Sequence, residues 1–95
     1  MAAYIIADID VTDPEGYRTY AQQTQGTLDK YGGKFLVRGG QHETIEGDWQ
    51  AKRVVVIEFP SVEQAKVWYN SPEYLAIAGI RHRSTVSRII LVQGV

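Results

Sequence analysis

The stretch YGGKFLVRGG, residues 31–40, marks the passage from a helix to a strand. Apolar side chains before it recur at steps of three, four and seven residues from Tyr17 to Tyr31, which is typical of a helix with one buried stripe. Gly32 and Gly33 then suit the left-handed conformation that ends a helix. A second strand is predicted from Lys34 towards Ile45, with Arg38 just before the second glycine pair.

Outward from this stretch, three further strands and a second helical region can be predicted. AYIIADIDV, residues 3–11, alternates with a period of two and predicts the first strand, and DPEGY after it supplies a cap and a first-turn proline for the helix. Arg53 to Phe59 predicts the third strand, joined to the second as a hairpin through EGDW, residues 46–49. Residues 87–95 predict the last strand.

The second helical region, from Ser61 to about Arg83, contains its own interruption. SVEQ has the spacing of a capping box, and SPEY, residues 71–74, offers a second cap followed by proline. Because proline disfavours helical geometry in the residue before it, we expect two helical segments that separate at Asn70 and Ser71.

The resulting order is βαββαβ within a single domain, residues 1–95. This order and the right-handed crossover rule predict an α+β, ferredoxin-like fold, with a four-stranded antiparallel sheet of order 4-1-3-2 and both helical regions on one face. The side chains predicted to face the helices are wholly apolar, whereas the opposite face mixes Tyr4, Ile6, Val54 and Val56 with charged residues. A face of this kind is best covered by a second copy of itself, so we expect a homodimer.

Composition excludes several classes of function. Ten basic and eleven acidic residues are intermixed, so the chain lacks the electrostatic footprint for nucleic acid or an anionic membrane. It has no cysteine, no apolar run long enough for a membrane span and no basic region of the kind that begins a secretory signal. We therefore expect a cytoplasmic protein. We expect no cofactor, since no GxGxxG phosphate loop is present, and no metal, since His42 and His82 lack metal-ligand spacing.

Three charged or titratable residues, Arg38, Glu58 and His82, are candidate site residues. If the hairpin turns near Asp48, Arg38 lies beside Glu58 on the mixed face, where a guanidinium and a carboxylate would pair through two hydrogen bonds. The pair would either fix the register of the strands or give way to the carboxylate of a ligand. His82, in RHR at a helix end, would either relax the helix dipole or serve as a base or anion clamp. Asp8 and Asp10 could form a pair of carboxylates for acid–base catalysis. We expect instead that Asp10 forms a cross-strand ion pair with Arg53.

Aromatic side chains supply the other candidates. Trp68, Tyr69 and Tyr74 have helical spacing and belong to the core, to a flat ligand pocket, or to both. Trp49 lies on a polar turn, where an exposed tryptophan is more typical of an interface or a ligand contact.

Taken together, YGGKFLVRGG, EGDW, VVVIEFPS, the segment from Ala65 to Tyr74 and the terminal IILVQG resemble the bacterial family named domain of unknown function 1330. The resemblance spans essentially the whole chain. It implies a ferredoxin-like domain that dimerises face to face through its sheets, the dimeric α+β barrel arrangement, and it implies no established activity.

Two classes of function remain. One is a small-molecule enzyme or binder that takes an aromatic or carboxylate-bearing metabolite, without a metal, between sheet and helices. The other is a non-catalytic dimeric module for structure or interaction. An apolar cavity on which Arg38, His82 or tyrosine hydroxyls converge would favour the first class.

Overall fold

The computed structural model describes all 95 residues. Four strands form an antiparallel sheet: β1 (Ala3–Val11), β2 (Lys34–Arg38), β3 (Val54–Phe59) and β4 (Thr85–Gln93). Three helices accompany them: α1 (Pro14–Tyr31), α2 (Val62–Tyr69) and α3 (Pro72–Ser84). The strands are ordered β2-β3-β1-β4, which confirms the predicted sheet order. No helix combines the length and the hydropathy that crossing a membrane requires.

The helix boundaries follow from local capping. The Asp13 carboxylate accepts a hydrogen bond from the backbone N–H of Gly16, and Gly32, with φ of 79°, ends α1 in the left-handed conformation. The Ser71 hydroxyl accepts from the backbone N–H of Tyr74 and donates to the carbonyl of Trp68 at 2.7 Å. The predicted break between α2 and α3 is therefore confirmed, and one buried serine hydroxyl joins the two helices.

The core lies between the helices and one face of the sheet, called here the inner face. It receives the alternate side chains of β1 and β3, which are buried because the period-two pattern points them towards the helices. The helices contribute their inner stripes to the same core. The principal members are Ile5, Ile9, Ile57, Phe59, Tyr20, Leu28, Trp68, Tyr74 and Ile77.

The second strand differs from its prediction in length and register. It ends at Arg38 rather than near Ile45, and residues 39–53 form a connection without helix or strand that contains EGDW. The pairing of β2 with β3 shifts between Phe35 and Val37, so that Leu36 is an extra residue, as in a β-bulge. As a result Val37 is opposite Val56 and Arg38 is opposite Val55, on the inner face.

Two predicted ion pairs do not form. Glu58 is opposite Lys34 and Tyr4, whereas Arg38 lies on the other face of the sheet, so the expected Arg38–Glu58 pair does not form. The prediction was wrong for two reasons: β3 pairs Glu58 with Lys34, four residues before Arg38, and the bulge at Leu36 then turns Arg38 to the inner face. The expected Asp10–Arg53 pair is also absent, because the Arg53 guanidinium contacts Tyr17 of α1.

Candidate ligand-binding pocket

A cavity of about 40 Å³ lies between the inner face of the sheet and the three helices. Thirteen of the seventeen residues that line it are hydrophobic, among them Ile5, Ile9, Phe35, Val55, Trp68, Tyr69, Tyr74 and Ile89. The other four are Thr24, Arg38, Arg53 and Arg81. The hydroxyl of Thr24 donates to the carbonyl of Tyr20 within α1, so the polar groups of this cavity are guanidiniums and tyrosine hydroxyls.

Arg81 is the most deeply buried of the three arginines, with 5% of its surface exposed. It lies in the last turn of α3, where its Nε donates to the Tyr74 hydroxyl at 3.1 Å and its Nη2 is 3.1 Å from Nε2 of His82. No carboxylate pairs with it, since the only ion pair of the chain within 4.0 Å joins Lys30 to Glu73. A buried charge without a counter-charge is costly and uncommon in a folded protein.

The Tyr74 hydroxyl also contacts a second buried tyrosine. The hydroxyl oxygens of Tyr20 and Tyr74 are 2.8 Å apart, and their rings meet edge to face with centroids 6.2 Å apart. Burial, followed by the proximity of Tyr74, raises the pKa of Tyr20 far above the ordinary value of a phenol. Tyr20 therefore remains a neutral hydrogen-bond donor at physiological pH.

Arg53 and Arg38 line the cavity on the side of β2 and β3. Arg53 Nε donates to the Tyr17 hydroxyl at 3.2 Å, and its guanidinium lies 5.5 Å from the centre of that ring. It also packs against Gly39, where a Cβ atom would come within 2.2 Å of Nη1 and where φ is 71°, so this position requires glycine. Arg38 stacks over Phe35 at 4.6 Å, and its Nη2 donates to the carbonyl of Ala21 in α1 at 3.0 Å.

The electrostatic character of the pocket follows from this composition. Three permanently charged guanidiniums line it, while no aspartate, glutamate or histidine does. The chain as a whole carries a formal charge of −1, so this concentration of positive charge is local. An apolar wall with unneutralised guanidiniums suits a ligand that has an apolar body and an anionic group.

The structure brings together three of the predicted site residues: Arg38, Tyr69 and Tyr74 all line the cavity. The other three lie elsewhere. Glu58 is on the opposite face of the sheet, and His82 is exposed and reaches the pocket only through its contact with Arg81. Trp49 is 55% exposed in the connection after β2, where its Nε1 donates to the Asp8 carboxylate at 2.9 Å.

Sequence reasoning missed Tyr20, Arg53 and Arg81 as pocket residues. The signal for Arg81 was present, because it follows Tyr74 by seven residues, and a spacing of seven places two residues on the same face of a helix. Pro72 fixes the first residue of α3. With that start, Arg81 lies on the same buried face of the helix as Ile77 and Ala78. A cation on the apolar stripe of a helix is the feature that identifies it.

The structure contains no cluster of three or more histidine, cysteine, aspartate or glutamate side chains of the kind that holds a metal ion.

Comparison with known proteins places the chain in a family and a fold. The model of a family described as a domain of unknown function, DUF1330, matches residues 2–95. The chain is similar in structure to RPA0582, a protein of unknown function from Rhodopseudomonas palustris, with a TM-score of 0.79 and 19% identity over 99% of this chain and 82% of that one. None of the curated proteins matches it significantly.

Two further solved structures share the fold at lower identity. SnoaB, a cofactor-independent oxygenase from Streptomyces nogalater, gives a TM-score of 0.68 at 14% identity over 99% of this chain and 93% of SnoaB. A dimeric ferredoxin-like protein of unknown function from Thermobifida fusca gives 0.61 at 13% identity over 99% and 90% of the two chains. These similarities confirm the ferredoxin-like α+β fold.

Proposed function

The chain belongs to the DUF1330 family, and we propose that this member is a homodimer that binds a small apolar molecule with an anionic group in the cavity of each subunit. The observation that supports this most directly is Arg81, a buried guanidinium without a carboxylate partner. An anionic ligand would supply the missing counter-charge.

The dimensions of the cavity favour a compact ligand. Sites for drug-sized molecules commonly span about 300–1,000 Å³, and a cavity of about 150 Å³ accommodates benzene. At about 40 Å³, this cavity holds a short aliphatic group, and a ring enters only if a side chain at its rim moves. Arg38 and Tyr69 are exposed, so they are the side chains that make room.

We propose a second copy of the chain as the partner. The reason is the composition of the outer face of the sheet, which is the face turned away from the helices. Val86, Ile90 and Val92 are exposed there on the edge strand β4. Carboxylates and basic groups alternate with them: Asp8 on β1, for example, is opposite Arg88 on β4 in the strand register. A face with apolar residues and both signs of charge can be complementary to itself about a two-fold axis. The dimeric relative from Thermobifida fusca supports the same partner. We propose a cytoplasmic location, which the absence of cysteine supports.

A binding experiment tests the pocket. Isothermal titration with isobutyrate and benzoate should give saturable binding, and both should raise the melting temperature. Ala21 lines the cavity, so Ala21→Phe should fill it and abolish binding, while Gln22→Phe, one residue further along α1 and exposed, should leave binding unchanged. Equal binding by the two variants, or no binding by the wild-type protein at millimolar ligand, would contradict the proposal.

The small cavity volume also supports the alternative, a dimeric module for structure or interaction without a ligand. In that case the cavity is a packing defect between helices and sheet. The alternative predicts that Ala21→Phe raises the free energy of unfolding by filling space, and that no carboxylate changes the melting temperature.

A further inference from the structure

The hydrogen bonds of the two buried tyrosines leave one hydroxyl proton without an acceptor in the protein. Tyr20 and Tyr74 bring two protons, and their mutual hydrogen bond uses one of them. The Tyr74 oxygen also accepts from Arg81 Nε, which consumes no hydroxyl proton. Whichever tyrosine donates to the other, the remaining O–H finds no further protein acceptor, and both side chains line the cavity.

Arg81 brings further donors to the same place. Its Nε is used by Tyr74 and its Nη2 by His82, whereas Nη1 donates to no protein group. An unused O–H and unused guanidinium N–H groups thus belong to three side chains that line the same, largely apolar cavity. Donors arranged in advance in such surroundings stabilise a negative oxygen more strongly than they would in water.

On the basis of the proposed function, we propose that Tyr20, Tyr74 and Arg81 form an oxyanion-binding site whose ligand is a carboxylate that arrives already ionised. No aspartate, glutamate or histidine is present in the lining to take a proton from a phenol or an enol. A carboxylic acid has already lost its proton at neutral pH, so the pocket selects it over a neutral phenol of the same size.

A double-mutant cycle tests this arrangement. Benzoate and isobutyrate are titrated into the wild-type protein, Tyr20→Phe, Tyr74→Phe and the double variant, with benzamide, isobutyramide and phenol as uncharged matches. Tyr4→Phe is the matched control, because Tyr4 lies on the outer face of the sheet. The melting temperature and the amide NMR spectrum of each variant establish that it is folded.

Because each single variant keeps one hydroxyl that can turn to the ligand, it should bind a carboxylate within about threefold of wild type, which is less than half the value of one hydrogen bond to a charged group. The double variant should lose about tenfold or more, the usual value of a hydrogen bond to a charged group, so the two losses are not additive. The amides and phenol should bind at least about tenfold more weakly than the carboxylates.

The outcomes separate this inference from the proposed function. Carboxylate binding that survives in the double variant, or amides that bind as tightly as the acids, would overturn the oxyanion site and leave the pocket as a general apolar site. The absence of any carboxylate binding by the wild-type protein would overturn both.

Discussion

Arg81 is a buried charge whose cost to the fold the proposed anionic ligand would relieve. A guanidinium buried without a carboxylate adds a desolvation cost, which its hydrogen bonds to Tyr74 and His82 offset only in part. Burial by itself lowers the pKa of Arg81, yet the nearby tyrosines, Tyr74 first, leave it above its ordinary value. The group is therefore charged at every pH at which the protein is folded.

Arg81→Met should leave the free energy of unfolding unchanged or raise it by about 1 kcal/mol, because an apolar side chain replaces an unneutralised buried charge. The same change should abolish carboxylate binding. Urea denaturation and calorimetric titration measure the two effects. Arg83→Met, an exposed position on the same helix, should alter neither. A loss of stability above about 2 kcal/mol in Arg81→Met would show instead that the arginine holds the fold together.

Of the pocket arginines, Arg38 could be identified as a candidate from the sequence, whereas Arg81 could not. Arg38, Tyr69 and Tyr74 were recognised as candidates because their neighbours and their periodicity set them apart. Arg81 was passed over within RHR, since cations at the end of a helix usually serve its dipole. Only the phase of α3 distinguishes buried Arg81 from exposed His82 and Arg83.

Helices α1 and α3 are joined at the surface by a three-residue cluster. Lys30, near the end of α1, forms an ion pair with Glu73 in the first turn of α3, and the Tyr31 hydroxyl donates to the same carboxylate at 2.6 Å. The hydrogen bond from Lys30, followed by that from Tyr31, lowers the pKa of Glu73 from 4.5 to about 2. The carboxylate also lies near the positive end of α3, which favours its charged form.

This cluster makes the contribution of Glu73 depend on pH. Because its pKa is lower in the folded state, the contribution is fully present above about pH 4.5 and is lost as the pH falls towards 2. The melting temperature of the wild-type protein should therefore exceed that of Glu73→Gln at pH 6 and converge with it near pH 2. Glu63→Gln, at an exposed carboxylate without an ion pair, should show no such convergence. A constant difference across this range would contradict the assigned role.

The helices and strands themselves were largely predictable because residues close in sequence determine where they begin and end. Asp13, Gly32 and the SPEY segment each act through the backbone of their immediate neighbours, so a short window of sequence contains the cause. The register of β2 was not predictable in this way. Leu36 is neither glycine nor proline, and the shift in pairing depends on β3, which is distant in sequence.

At the scale of the whole molecule, the sheet divides the protein into two surfaces with different roles. The inner face carries the core and the pocket, and the outer face exposes apolar side chains on both edge strands. The order of the strands was predicted correctly because βαββαβ connections with right-handed crossovers allow few alternatives. The homodimer follows from the same division and remains a proposal.

Ile90 tests the dimer because it lies opposite Ile6 on the outer face and is 60% exposed. Ile90→Asp should produce a monomer, since a two-fold interface would bury the new charge and its symmetry mate. Leu75→Asp is the matched control, because Leu75 is similarly exposed but lies on α3, on the other side of the molecule. Sedimentation at micromolar concentration should give twice the chain mass for wild type and the control. A wild-type monomer, or an unchanged Ile90→Asp dimer, would contradict the interface.

The bulge at Leu36 has a consequence for tracing this pocket through evolution. Without the extra residue, Phe35, Val37 and Arg38 would follow one another in regular pairing, and Arg38 would keep its inward position. A relative that lacks the insertion would therefore carry the corresponding arginine one place nearer to its preceding glycine pair. An ungapped alignment would match that arginine to Val37 and assign it to the wrong side of the sheet. Homologous pocket arginines should be sought by strand pairing rather than by column.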